Sequence, residues 1–73
     1  MNIPTLIEKY GRVNRLVGDY RACVVRTNLG TANHQDAKRC LDMAMFKLAG
    51  VENTLEDMGL LNADDRQTNR EDA

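Results

Sequence analysis

The sequence predicts an all-α fold: an antiparallel hairpin of two helices that packs like a coiled coil and dimerises into a four-helix bundle. Two stretches have apolar residues at alternating steps of three and four, and a loop containing Gly30 separates them. The apolar positions of the two stretches pair with numbers that add to 61, as an antiparallel hairpin requires. A chain of 73 residues buries only a small core by itself, which favours association with another chain.

The first helix is expected over about residues 4–28. Pro4 suits a first helical turn, and Thr5 with Glu8 has the spacing of a capping box, although the sequence leaves the capping residue open. The helix should end before Gly30, which can adopt the left-handed conformation of a helix C-terminus. Its inner face carries the apolar positions of the seam: Ile3, Leu6, Tyr10, Val13, Val17, Tyr20 and Val24.

The second helix is expected over about residues 33–58, with Asn33 as its N-cap. Gly59 followed by Leu60 is typical of a Schellman ending, in which a left-handed glycine lets the chain bond back to the last turn. The matching seam consists of Ala37, Leu41, Ala44, Leu48, Val51, Leu55 and Met58.

The chain is predicted to contain one domain, the helical hairpin of residues 1–61. The remaining residues, 62–73, include two alanines and are otherwise polar, so they bury too little apolar surface to offset the entropy of ordering. We therefore expect a disordered polar tail there.

Composition narrows the classes of function. The net charge of −1 provides no overall field toward nucleic acid or anionic lipid. No apolar run approaches the roughly 18 residues that span a bilayer, and no secretory leader is recognisable, so we expect a cytoplasmic protein without membrane contact. Cys23 and Cys40 fit neither a disulfide framework nor a metal cluster, and we interpret both as reduced, mostly buried thiols. Whether they ever pair stays open.

No pattern in the sequence predicts catalysis, and we expect no enzyme, no cofactor and no metal. The glycines do not form a phosphate-binding loop. His34 is expected on the solvent at the hairpin tip, too far from either cysteine to activate a thiol. Glu52, Glu56 and Asp57 are interpreted as a solvated face of the second helix, since such acidic neighbours only occasionally hold a metal.

The stretch 40–51 is too apolar to form one face of one helix, so a second face should be covered by another chain. Glycine is unfavourable inside a helix, and two of them seven residues apart suggest close approach of a second helix. The predicted protein interface contains Gly11, Gly18, Ala22, Val25, Met43, Phe46 and Gly50. Beside the seam, four residues are expected on one shared flank of the hairpin: Leu16, Cys23, Cys40 and Lys47.

The first helix carries most of the positive charge. Arginines along a helix can contact phosphates or an acidic partner, although no aromatic residue is interleaved with them for base stacking. The candidate contacts are Arg12, Arg15, Arg21 and Arg26.

These observations favour a small helical protein-interaction module. We expect it to form a homodimer, to bind and modulate a larger partner protein as short phage and bacterial accessory proteins do, or both. The alternative is an RNA- or DNA-binding regulator that uses the basic first helix. The predicted plan resembles the small plasmid regulators of the Rop type, whose hairpins pair into four-helix bundles. The resemblance is one of architecture, and no residue or function is carried over from it.

Overall fold

The structure is a computed structural model that describes residues 2–69. Two long helices, α1 (Ile3–Arg26) and α2 (Ala32–Asp57), pack against each other, and two short 3₁₀ helices follow, η1 (Ala63–Asp65) and η2 (Gln67–Asn69). No strand occurs in this part of the chain, and the predicted all-α hairpin is confirmed.

The molecule measures 41 × 22 × 13 Å. Its shortest dimension is close to the diameter of one helix with its side chains, about 10–12 Å. The hairpin is therefore a single layer of two helices, and each broad face is exposed unless another segment covers it.

The core lies along the predicted seam. Val13, Val17, Ala44 and Leu48 form one buried cluster, which contains two of the pairs that add to 61. Val51 and Leu55 are buried further along α2. The half-buried residues packed on the cluster are Tyr10, Tyr20, Leu41 and Met45, of which only Met45 is outside the predicted seam.

The helix starts are capped by side chains. The Asn2 side chain accepts a hydrogen bond from the Thr5 backbone N–H at 3.4 Å, which resolves the open choice at α1. At α2 the cap is Thr31, whose hydroxyl oxygen accepts from the His34 backbone N–H at 3.2 Å. The prediction that Asn33 caps this helix is therefore wrong, because the chain enters the helix two residues earlier.

The loop between the helices is short and closed by side chains. α1 ends at Arg26 because Thr27 is extended, and Gly30, with φ of +82°, serves the turn in which Thr31 N–H bonds to the Asn28 carbonyl at 3.2 Å. Gly30 thus shapes the loop instead of ending the helix. Across the loop, the Thr27 hydroxyl lies 3.0 Å from His34 Nδ1. His34 is half-buried, so the prediction that it faces the solvent is wrong.

The end of α2 has the predicted Schellman geometry. Gly59 has a φ of +74°, Leu60 N–H donates to the Leu55 carbonyl at 2.9 Å, and Gly59 N–H donates to the Glu56 carbonyl at 3.0 Å. These two bonds satisfy carbonyl groups that the helix end would otherwise leave without partners.

The C-terminal segment, residues 62–69, differs from the disordered tail expected over 62–73. It forms η1 and η2 and folds back onto α2, where Arg66 contacts Glu56 at 3.2 Å. The segment is held in place by hydrogen bonds to the side chains of Glu52 and Glu56 on α2, and the low apolar content of the sequence does not reveal these bonds. Residues 70–73 of the expected tail lie outside the described residues.

Candidate functional site

Two features of the hairpin are candidates for a functional site: a buried carboxylate under the C-terminal segment, and an open groove between the helices. Both features arise because the hairpin is a single layer of two helices. The C-terminal segment covers one part of this layer, and the groove is a part that stays exposed.

The buried carboxylate is Glu52, whose side chain is completely inaccessible to solvent. The Tyr10 hydroxyl donates to its Oε2 at 3.0 Å, the Gln67 backbone N–H donates to the same oxygen at 2.6 Å, and the Thr68 hydroxyl donates to Oε1. Glu52 is therefore not part of the solvated acidic face that its position beside Glu56 suggested. Its donors come from α1 and from the C-terminal segment, so this one carboxylate joins three parts of the chain.

Arg66 supplies the positive charge beside it. The guanidinium Nε lies 3.7 Å from Glu52 Oε1, Nη1 lies 3.2 Å from Glu56 Oε2, and Nη2 donates to the Ala49 carbonyl at 3.5 Å. The guanidinium therefore covers the outer side of the carboxylate and reaches the backbone of α2 on the same side of the hairpin.

The environment also raises the pKa of Tyr10 above its ordinary value of 10.0, first because the ring is partly desolvated and then because its hydroxyl donates to the negative Glu52. Tyr10 is thus a neutral donor at physiological pH. Glu52 has its oxygens occupied by Tyr10, Gln67 and Thr68, so the cluster fastens the C-terminal segment and presents no open position for a ligand. Within residues 2–69, no three His, Cys, Asp or Glu side chains are grouped so that they could hold a metal ion.

The groove has a volume of about 660 Å³ and is lined by both helices. α1 contributes Leu6, Lys9, Val13, Leu16 and Tyr20, and α2 contributes Cys40, Met43, Ala44, Lys47, Gly50, Val51 and Thr54. No residue of the C-terminal segment takes part, so this part of the hairpin stays uncovered while the segment packs over Glu52.

Local sequence explains the shape and character of the groove. Its floor comes from seam residues such as Val13 and Val51, and the small residues Ala44 and Gly50 leave room above it. Its apolar rim is exposed, with 46% of Leu16 and 60% of Met43 accessible to solvent. An exposed apolar rim around a concave surface is typical of a binding site.

The groove contains some of the predicted interface residues and omits others. Met43 and Gly50 line it, together with three of the four residues expected on one flank, Leu16, Cys40 and Lys47. The other predicted interface residues lie outside its lining: Gly11, Gly18, Ala22, Val25 and Phe46.

Of these five residues, Ala22 is half-buried, and the other four are exposed. Val25 and Phe46 are each 84% exposed, and a Cβ added at Gly11 or Gly18 would meet no atom within 4 Å outside its own helix. Their participation in an interface stays a prediction, because no contact within the described chain requires it.

Both cysteines are exposed and unpaired in the structure, so the prediction that they are mostly buried is wrong. Their positions explain the difference: Cys40 lies on the rim of the open groove, and Cys23 lies beyond it on α1. A thiol on the flank of a two-helix layer has no second layer to cover it.

The four arginines of α1 are not equivalent. Arg12, Arg15 and Arg26 are exposed, whereas Arg21 is half-buried and interacts with another group of the chain. None of the four lines the groove, whose positive charges are those of Lys9 and Lys47.

No protein-family model matches this sequence, and neither a curated protein nor a solved structure shows significant similarity to it. In the described chain, neither long helix combines the length and apolar character that crossing a membrane requires.

Proposed function

We propose that this protein is a protein-interaction module whose groove receives the apolar face of a helix from another chain. The observation that supports the proposal is the apolar groove left open between α1 and α2 in a hairpin only one layer thick. A helix laid in the groove would cover Leu16 and Met43 and add a third element to a core that is small by itself.

The other chain can be a second copy or a different protein. A second copy would give the homodimeric four-helix bundle, and a different protein would give a complex through which the module modulates its partner. Both arrangements use the same groove, so both belong to the proposed function.

A pair of matched substitutions tests the proposal. Met43→Glu puts a charge on the rim of the groove, whereas Val25→Glu puts the same charge on an exposed position of α1 outside it. We expect the wild type either to self-associate in sedimentation velocity or to bind a synthetic amphipathic helix. Met43→Glu should abolish the association that the wild type shows. Val25→Glu should leave it unchanged. A monomeric wild type that binds no amphipathic helix would refute the proposal, as would equal loss in both variants.

Nucleic-acid binding is the second candidate, favoured by the exposure of Arg12, Arg15 and Arg26 on α1. Phosphate contacts would give an affinity that falls steeply with salt. Titration of fluorescent RNA and DNA oligonucleotides from low to physiological salt measures this dependence. Absence of binding at the lowest salt would exclude the second candidate.

A further inference from the structure

We infer that the groove is built for a single amphipathic helix of a different protein, one whose apolar stripe is flanked by acidic side chains. The inference rests on the proposed function and specifies the partner's chemistry. Three properties of the groove support it: its length, its charge, and the poor fit of a second copy.

The length of the groove matches a short helix. On α1 its lining runs from Leu6 to Tyr20, and on α2 it runs from Cys40 to Thr54. At 1.5 Å per residue each wall is about 21 Å long, which corresponds to about four turns of a docked helix. Apolar residues at steps of three and four on such a helix would face Leu16 and Met43.

The charge of the groove is entirely positive. Lys9 on the α1 wall and Lys47 on the α2 wall are both exposed, and the described lining contains no Asp or Glu. Each wall therefore offers one ammonium group beside an apolar floor. A helix with a Glu or Asp on each side of its apolar stripe would meet both lysines, whereas a helix with basic flanks would be repelled.

A second copy fits this groove poorly. A two-fold contact of groove against groove places two copies of Lys9 and of Lys47 in one interface, and neither lining supplies a carboxylate to neutralise them. The groove could instead be filled by a different surface of the second copy. Such a contact is not symmetric, so each added copy leaves another groove open, and the chains form a filament unless the rotation between copies closes a ring. The observed charge thus favours a partner that carries the opposite sign.

Two synthetic helices and one charge-reversed variant test the inference. The helices share one apolar stripe and are stapled to equal helicity, and they differ only in flanks of Glu or of Lys. We expect the Glu-flanked helix to bind the wild type more tightly on the order of fivefold, because exposed ion pairs contribute modestly, and salt should narrow the difference. Lys9→Glu combined with Lys47→Glu should reverse the preference, while Lys38→Glu with Arg39→Glu, outside the groove, should preserve it.

The remaining outcomes separate this inference from the proposed function. Equal affinity for the two helices, or tighter binding of the Lys-flanked helix, would overturn the inference and leave the groove as a helix-binding site. If neither helix binds and the wild type is a dimer that Met43→Glu dissociates, the occupant is a second copy and the inference is again overturned. If neither helix binds and the wild type is a monomer, both the inference and the proposed function fail.

Discussion

Glu52 on α2 holds the C-terminal segment, residues 62–69, against the hairpin. It is fully buried and accepts hydrogen bonds from Tyr10, Gln67 and Thr68, with Arg66 close by. A buried carboxylate without these donors would be strongly unfavourable, so the C-terminal segment and Glu52 stabilise each other in place.

Removal of this carboxylate should release the C-terminal segment. Glu52→Ala leaves the donors of Gln67 and Thr68 without an acceptor, and we expect the free energy of unfolding to fall by about 3 kcal/mol. Urea denaturation measures the loss, and limited trypsin digestion followed by mass spectrometry should show faster cleavage after Arg66. Asp57→Ala, an exposed acid on the same helix, is the control and should change neither measurement. Unchanged cleavage in Glu52→Ala would contradict this role.

The Tyr10 hydroxyl predicts a pH dependence of stability. Its pKa in the folded chain is above the ordinary 10.0, chiefly through burial and then through its bond to Glu52. The unfolded chain therefore releases this proton at lower pH than the folded chain does. The stability contribution is present below pH 10 and is lost as the pH rises through the folded pKa. Denaturation curves measured at increasing alkaline pH should show the free energy of unfolding falling. In Tyr10→Phe this fall should be smaller, because the variant lacks the titrating hydroxyl.

At the scale of elements, the sequence predicted both helices and their register because the signals are repeated. Each helix has seven apolar positions at steps of three and four, so one exception does not change the assignment. The Schellman ending was equally predictable, since Gly59 and Leu60 form a local motif. The Schellman ending depends on residues that are close in sequence. The register depends on seven residue pairs that all indicate the same alignment of the two helices.

The capping residues were harder to predict because several polar residues precede α2. Asn33 and Thr31 are both good caps by type, and the turn at Gly30 decides which of them meets the first free N–H groups. The burial of Glu52 was unpredictable for a related reason. Its position beside the seam is compatible with solvent, and its burial depends on contacts with Tyr10 and with the C-terminal segment, which is distant in sequence.

The cap at Thr31 gives a paired prediction. Thr31→Ala removes the acceptor for the His34 backbone N–H and should lower the free energy of unfolding by about 1 kcal/mol. Asn33→Ala changes a residue that lies inside α2 and should have a smaller effect or raise the stability, since alanine has the higher helix propensity. Thermal unfolding followed by circular dichroism compares the two, and a larger loss in Asn33→Ala would contradict the assigned cap.

At the scale of the whole molecule, one small core supports the entire hairpin. Leu48 is 1% exposed at the centre of this core, and Leu48→Ala should lower the free energy of unfolding by about 2–5 kcal/mol, comparable with the total stability of a domain of this size. We therefore expect loss of most helical circular dichroism. Met43→Ala, on the exposed rim of the same helix, is the control and should keep the helical signal. An unchanged melting curve for Leu48→Ala would contradict the register.

The candidate site was only partly predictable because a groove is a property of the assembled pair. The apolar excess of residues 40–51 indicated a second covered face, and this stretch contains six of the residues that line the groove. Phe46 and Val25 were predicted to belong to the same interface because they are apolar and lie outside the seam. In the structure these two lie outside the groove, because a helix of this length presents apolar residues in more than one direction.

Helix binding in the groove can be tested directly by nuclear magnetic resonance titration of the isotope-labelled protein with the Glu-flanked helix. We expect chemical shifts to change along the groove, at Leu16, Met43 and Lys47, while those of Val25 and the C-terminal segment change little. Shifts confined to the exposed arginines or to the surface around Phe46 would contradict this expectation.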